Sequence, residues 1–255
     1  MRKLLAVVLG LSLIGAACGS DDDPKANEGD TTTTQAADFP AGSTMARIKS
    51  AGTVKVGVKK DQPGFGLTNP VTNTVDGFDV EIAKLIAEAI DPDVKIEFVE
   101  SVSAVREEYI EKATVDFVVA TYTINDARKQ RVDFAGPYFV ARQDIMVKKA
   151  NTDIKSVDDL DGKNVCTVTG STSEKNLKAK APGANVKLFP KYSDCAAELG
   201  AGRVDAVTTD NTILSGLVKD SAGAYKLVEA PFSDEPYGIG VKLADDAFRD
   251  FINDV

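Results

Sequence analysis

Three short stretches of the chain carry groups that could hold a small polar molecule. Thr121, Tyr122 and Thr123 are followed by Arg128; Gly170, Ser171, Thr172 and Ser173 form a second group; Asp210 closes an Ala-Val-Thr-Thr run. Together they offer hydroxyls, free N–H groups, a guanidinium and a carboxylate, a set that complements a zwitterionic amino acid. Arg128 can take an α-carboxylate through two parallel bonds. Thr123 and the Thr172 N–H can add donors, and Asp210 can take the ammonium. Singly, each has a plainer role: Gly-Ser-Thr-Ser as a helix N-cap, Arg128 as a solvated helix charge, Asp210 as another cap. The chain has no His, which removes Ser-His-Asp and Cys-His catalysis and any imidazole acid or base. Three Cys are too few for an all-thiolate zinc site. With 30 basic against 39 acidic residues, a net charge of −9 and no basic block, the chain is a poor polyanion binder, and no nucleic-acid partner and no cofactor are expected.

The elements that must position these groups alternate regularly. Val54, Val56 and Val58 alternate as a strand, and Asp79 to Ile90 has helical period with Ile82, Leu85, Ile86 and Ile90 on one face. A strand over Val94 to Val99, a helix over Ala104 to Lys112 and a buried strand over Val115 to Ala120 complete a first series. A second series reads strand Asn164 to Val168, helix Thr172 to Ala181, strand Val186 to Phe189 and helix Asp194 to Gly200. Strand Ala206 to Thr208, helix Asn211 to Val218 and a short strand Leu227 to Glu229 follow. Strands separated by helices argue for α/β architecture with parallel sheets. The two series look like two lobes. The extended stretches Gly136 to Lys149 and Pro236 to Lys242 are placed to form a two-strand hinge, with a last helix from Ala244 returning to the first lobe. In open α/β sheets ligands bind beyond the carboxyl ends of strands, and all three polar stretches fall there.

The N-terminus reads as an address. Arg2 and Lys3 precede the apolar run Leu4 to Ile14 and the small residues Gly15, Ala16 and Ala17, the order of parts in an export signal over residues 1–17. Gly-Ala-Ala-Cys resembles the bacterial lipoprotein cleavage box, with Gly15 where Leu is usual, so Cys18 is expected to be lipidated and to anchor the chain to a membrane. Residues 18–44, with three Asp in a row and four Thr, read as a disordered tether. Loss of Arg2 and Lys3 takes the net charge to −11. Cys166 and Cys195 then remain as an even pair in an oxidising compartment. A bridge between them closes a loop of about 30 residues, stabilising by roughly 3–4 kcal/mol in the chain-entropy model; the alternative is two buried free thiols.

The motifs also occur in a recognisable order: Asp76-Gly77-Phe78-Asp79-Val80, Thr121-Tyr122-Thr123-Ile124 with Arg128, and Val132-Asp133-Phe134-Ala135-Gly136-Pro137-Tyr138. Thr169-Gly170-Ser171-Thr172-Ser173, Gly202-Arg203-Val204-Asp205-Ala206 leading to Asp210, and Tyr237-Gly238-Ile239-Gly240 follow. Over about residues 46–255 the chain resembles the bacterial extracellular solute-binding proteins of family 3, the substrate-binding lipoproteins of polar amino-acid ABC transporters of the glutamate/glutamine/aspartate type. The resemblance implies a periplasmic-binding-protein type II fold, two α/β lobes joined by a two-strand hinge. The first lobe covers 45–140, the second 141–235, and 236–255 return to the first. It gives Arg128 the α-carboxylate, with Thr121 and Thr123 in support, and makes Thr172, Ser171 beside it, and Asp210 the second-lobe contacts. Phe65 matches an aromatic that covers the ligand.

Arg106, 22 residues ahead of Arg128, stands where dicarboxylate-binding relatives place an Arg for the side-chain carboxylate, and Lys59 is a second candidate cation. A charged donor discriminates strongly, because the wrong ligand leaves it unpaired; its plain alternative is a solvated helix residue beside Glu107 and Glu108. L-Glutamate is therefore the expected ligand, then aspartate, then glutamine. The implied partners are the ABC permease subunits with their ATPase and, through the lipid, the outer face of the cytoplasmic membrane; the receptor is expected to be a monomer without catalytic residues. Relatives continue for another helix or two past the segment matching Phe248 to Val255, so the resemblance implies that the first lobe lacks part of its packing. Two other classes compete: a dehydratase-type enzyme, since the fold hosts one, and a sensory lipoprotein.

Overall fold

A computed structural model describes residues 38–255. The export signal, Cys18 and most of the expected tether lie outside the described residues. The last part of that expected tether is packed: Phe39 meets Phe251 edge-to-face at 5.4 Å, and the Ser43 hydroxyl accepts the Ala46 N–H to cap the first helix. One aromatic in an otherwise polar run finds apolar surface, so the ordered body begins before Met45.

In chain order the elements are α1 (Thr44–Ala51), β1 (Thr53–Val58), β2 (Asp61–Gln62), β3 (Gly66–Thr68), β4 (Val75–Asp76), α2 (Phe78–Ile90), β5 (Lys95–Glu100), α3 (Arg106–Glu111), β6 (Phe117–Val118) and α4 (Asp126–Lys129). The long strand β7 (Val132–Lys148) leads to a 3-10 turn (Val157–Leu160). Then come β8 (Asn164–Val168), α5 (Thr172–Lys180), β9 (Asn185–Phe189), α6 (Tyr192–Gly200), β10 (Ala206–Asp210), α7 (Asn211–Asp220), β11 (Tyr225–Leu227), β12 (Ser233–Lys242) and α8 (Asp246–Asp254).

Hydrogen bonding links the strands in the order β5-β1-β6-β12-β7-β10-β8-β9. At one end β1 runs parallel to β5 and β6; at the other β8 runs parallel to β9 and β10. Between these parallel sets, β7 and β12 pair antiparallel with a register shift between Tyr237 and Ile239. The 17-residue β7 belongs to both cores, with Val132 and Ala135 in the first and Ile145, Met146 and Val147 in the second. This is the two-lobed α/β fold with a two-strand hinge.

The first lobe packs Val54, Val56 and Val58 against Ala83, Ile86, Ala87 and Ile90 of α2, whose spacing puts one apolar stripe on the sheet. Phe248 and Ile252, four residues apart on α8, join that core. In the second lobe one face gathers Cys166, Cys195, Leu199 and Leu214, the other Ile145, Leu160 and Leu177. Cys166 on β8 is disulfide-bonded to Cys195 on α6, 29 residues apart, which decides between the bridge and the free thiols.

The sequence reading misplaces two strands and misses a small sheet. The strand expected over Val115 to Ala120 pairs only at Phe117–Val118, although the whole stretch from Phe117 to Thr123 is buried. The strand expected over Leu227 to Glu229 lies at Tyr225–Leu227, because Glu229 takes a φ of 63° and leaves the extended region. The three-stranded sheet β2-β3-β4 has no apolar alternation to announce it.

Candidate functional site

Burial without a partner picks out the site. Arg106, at the first turn of α3, is 2% exposed; its Nη1 donates to the Ala120 carbonyl at 2.9 Å, while Nε has no partner. Asp210, where β10 runs into α7, is 4% exposed; its Oδ2 accepts the Tyr237 hydroxyl at 2.6 Å, while Oδ1 has no partner. A buried donor and a buried acceptor left open are costly unless something pairs them. Both line one cavity together with Ser103, Thr121, Thr123, Ser171, Thr172, Ser173, Tyr192 and Ile213. The enclosed space is about 10 Å³, room for roughly one water, so a molecule the size of an amino acid fits only if the lobes part.

The first-lobe wall is the segment after β6. Thr121 has a φ of 46°, rare for a β-branched residue. Its N–H donates to Asp79 Oδ2 at 2.7 Å and its hydroxyl to Gln62 Oε1 at 3.0 Å. Asp79 also accepts the Tyr138 hydroxyl from the hinge strand at 2.7 Å, and burial pushes its carboxyl up to about 6. Asn125 caps α4 by accepting the Arg128 N–H at 3.0 Å, which sets Arg128 over the same wall. Arg128 donates from Nη1 to the Thr123 carbonyl at 2.6 Å and from Nη2 to the Gly170 carbonyl of the other lobe at 3.3 Å, and it pairs with Glu107 at 3.2 Å. Both guanidinium groups lie over the Tyr122 ring, at 4.2 Å for Arg106 and 4.9 Å for Arg128.

The second-lobe wall is the start of α5. Ser171 caps that helix, accepting the Glu174 N–H at 3.0 Å and donating its hydroxyl to the Val168 carbonyl at 2.6 Å, so the plain capping role is the one its side chain fills. Gly170, at a φ of 76°, sits where a Cβ would lie 2.9 Å from Ala104 Cα of the first lobe; only glycine lets the lobes meet here. The Thr172 hydroxyl donates to Glu235 Oε2 at 2.7 Å and approaches Thr123 Oγ1 at 3.4 Å.

Of the predicted residues, Arg106, Thr121, Thr123, Ser171, Thr172 and Asp210 share the cavity, while Arg128 lines an adjoining pocket with Glu107, Arg131 and Lys175 that has Ser103, Ser171 and Thr172 in common with it. Lys59 is buried behind Ser103, donating to its hydroxyl at 3.1 Å. Phe65 packs edge-to-face with Phe78, Phe139 and Tyr237, centroids 5.7–6.0 Å apart, and is not among the cavity's lining side chains. Sequence reasoning named Tyr122 without giving it a role of its own and missed Tyr192, Ser103 and Glu235. Tyr122 stands between two expected ligand residues, which was the available signal; Glu235 had none beyond its nearness to Tyr237.

The electrostatics favour a ligand carrying both signs. Burial, and then Glu235, raise the Asp210 carboxyl to about 7. Burial, and then Arg106, lower the Lys59 ammonium to about 7, and burial with Arg128 lowers Arg106 to about 10. Each group is therefore held in a place where an opposite charge would favour its ionised form. Among the described residues no group of three or more Cys, Asp or Glu could hold a metal, and no helix is long and apolar enough to cross a membrane.

The chain is similar to known proteins in sequence and fold. The profile of the bacterial extracellular solute-binding proteins, family 3, matches residues 54–255. The chain is 40% identical to the ABC transporter glutamine-binding protein GlnH of Bacillus subtilis, over 99% of this chain and 90% of the relative. It is also 40% identical to the glutamate-binding protein GluB of Corynebacterium glutamicum, over 87% and 79%. Among solved structures, an ancestral arginine-binding protein bound to glutamine superposes with a TM-score of 0.75 at 41% identity, over 80% of this chain and 89% of that one.

Proposed function

The chain belongs to the bacterial extracellular solute-binding proteins of family 3, and from that premise we propose that it is the receptor of an amino-acid ABC importer that captures L-glutamate by closing its lobes. The observation that carries this reading is the open pair in one cavity, Arg106 Nε on the first lobe and Asp210 Oδ1 on the second. Asp210 takes the ammonium. Arg128 takes the α-carboxylate when its Nη2 gives up the Gly170 carbonyl, Thr121 and Thr123 support it, and Thr172 adds the second-lobe contact. Arg106, with Lys59 behind Ser103, faces the side-chain carboxylate, and L-aspartate ranks next. No chemistry follows capture: ligand binds the closed form better than the open one and shifts the population, and the permease with its ATPase reads the closed form. Residues 1–17 are the export signal, and a lipid on Cys18 holds the receptor by its tether at the outer face of the cytoplasmic membrane.

Glutamine is the second reading. Arg106 Nη1 is already engaged by the Ala120 carbonyl at 2.9 Å, which leaves its Nε to serve an amide oxygen as readily as a carboxylate, and the proteins similar to this chain include glutamine-binding ones. Isothermal titration with L-glutamate, L-aspartate, L-glutamine and L-arginine separates the readings. Tightest binding of glutamate is the expected result; tightest binding of glutamine moves the assignment to the second reading, and no heat with any of the four sinks the amino-acid receptor.

A further inference from the structure

The N-terminus of α6 is capped from the other lobe. Its own N-cap residue, Lys191, provides no side-chain cap. Instead Asp61, on β2 of the first lobe, accepts from the Tyr192 N–H at 3.1 Å, the Ser193 N–H at 3.3 Å and the Ser193 hydroxyl at 3.4 Å, all at Oδ2. Beside this contact Lys191 reaches back to Glu100 at the end of β5, at 2.5 Å. Helix α6 is fixed to its sheet by the Cys166–Cys195 bond, and Tyr192 in its first turn lines the ligand cavity. One turn further along, Pro63 comes so near α7 that a Cβ on Gly216 would lie 2.6 Å from its carbonyl oxygen. The β2–β3 turn of the first lobe is thus seated against two helices of the second, and Asp61 and Pro63 are not themselves among the residues that line the cavity.

We propose that Asp61 is a closure clasp, a positioning residue that caps α6 only when the lobes shut and so sets the closed population for every ligand alike. Parting the lobes leaves the first amides of α6 without an acceptor other than water, and the partial positive charge at that helix end without its carboxylate. A cap of this kind shifts an equilibrium by about 3- to 30-fold. The clasp touches no ligand atom, so it acts on affinity without acting on choice. This rests on lobe closure from the reading above, but not on which ligand is bound.

The test compares Asp61→Ala with Asp61→Asn, since Asn caps helices about as well as Asp. Probes for energy transfer sit at exposed Glu88 on the first lobe and Lys187 on the second. Ligand-free Asp61→Ala is expected to show a longer inter-lobe distance. In titrations its affinity for glutamate and for glutamine falls by the same factor, about 3- to 30-fold, with Asp61→Asn near the unsubstituted protein. An unchanged distance in Asp61→Ala overturns the clasp, and so does a changed glutamate-to-glutamine ratio, which would make Asp61 a ligand contact. If no amino acid binds at all, the ligand-free distances still decide, so failure of the receptor reading is told apart from failure of the clasp.

Discussion

Replacing Arg106 by Met tests the specificity argument most sharply. In the free protein the substitution removes a charged hydrogen bond to the Ala120 carbonyl at 2.9 Å, worth about 1.5–3 kcal/mol, and a guanidinium held 4.2 Å over the Tyr122 ring, worth up to about 2 kcal/mol. It also relieves a buried charge beside Arg128, so the net loss of stability is expected near 1–3 kcal/mol, within what a domain of this size survives. The effect on ligands is larger and unequal. Glutamate loses the partner of a buried carboxylate, about 2–5 kcal/mol, or roughly 30- to several-thousand-fold in Kd. Glutamine loses one hydrogen bond to a charged donor, about 1.5–3 kcal/mol, or roughly 10- to 150-fold. Discrimination therefore swings toward glutamine by about 0.5–2 kcal/mol, or roughly 2- to 30-fold. Titration calorimetry with both ligands measures the swing, and urea unfolding of the free variant confirms that it is folded. Equal weakening of the two ligands, or an unchanged affinity for glutamate, would refute the reasoning.

Other outcomes follow from the same geometry. The folded state raises Asp210 to about 7 and lowers Lys59 to about 7. The Asp210 contribution is thus complete below about pH 4 and lost as pH rises to about 7, while that of Lys59 is complete above its unfolded value and lost as pH falls to about 7. Unfolding free energies measured across pH should accordingly fall less between pH 4 and 7 in Asp210→Asn than in the unsubstituted protein; an identical slope would contradict the burial argument. Gly170→Ala puts a Cβ 2.9 Å from Ala104 Cα at a φ of 76°, so it should cost about 1–2 kcal/mol in stability and weaken every ligand by holding the lobes apart, as read by titration beside thermal melts. Reducing the Cys166–Cys195 bond should lower unfolding free energy by about 2–5 kcal/mol and leave the ranking of ligands unchanged; a changed ranking would mean that α6 moves on reduction.

Much of the fold was legible because periodicity is local. Val54, Val56 and Val58 announce a strand, and the stripe along Asp79 to Ile90 announces a helix, without reference to anything distant. Two second-lobe elements were read nearly to the residue, since Asn164–Val168 and Thr172–Lys180 are bounded by their own turn and cap residues. The β2-β3-β4 sheet was not legible, because its strands are two or three residues long and gain their order from the β2–β3 turn seated against the second lobe. The site divides in the same way. Arg106, Arg128 and Asp210 stand out as charges at strand ends or helix starts, whereas the grip of Asp79 on Thr121 joins residues 42 apart and the clasp of Asp61 on Tyr192 residues 131 apart. Partners so far apart leave no spacing in the sequence, and so Asp61 has no role in a reading of the sequence alone.

The central claim is that one cleft between the lobes reads an ammonium with Asp210 and two carboxylates with Arg128 and Arg106. A thermal melt of the folded chain with saturating L-glutamate, set beside glutarate, tests it most directly, since glutarate has both carboxylates and no ammonium. At about 1,000 times its Kd, glutamate should stabilise by about 4 kcal/mol and raise Tm by about 8–16 °C, while glutarate should leave it nearly unmoved. A cooperative melt that no amino acid shifts, or that glutarate shifts as far as glutamate, would contradict the account.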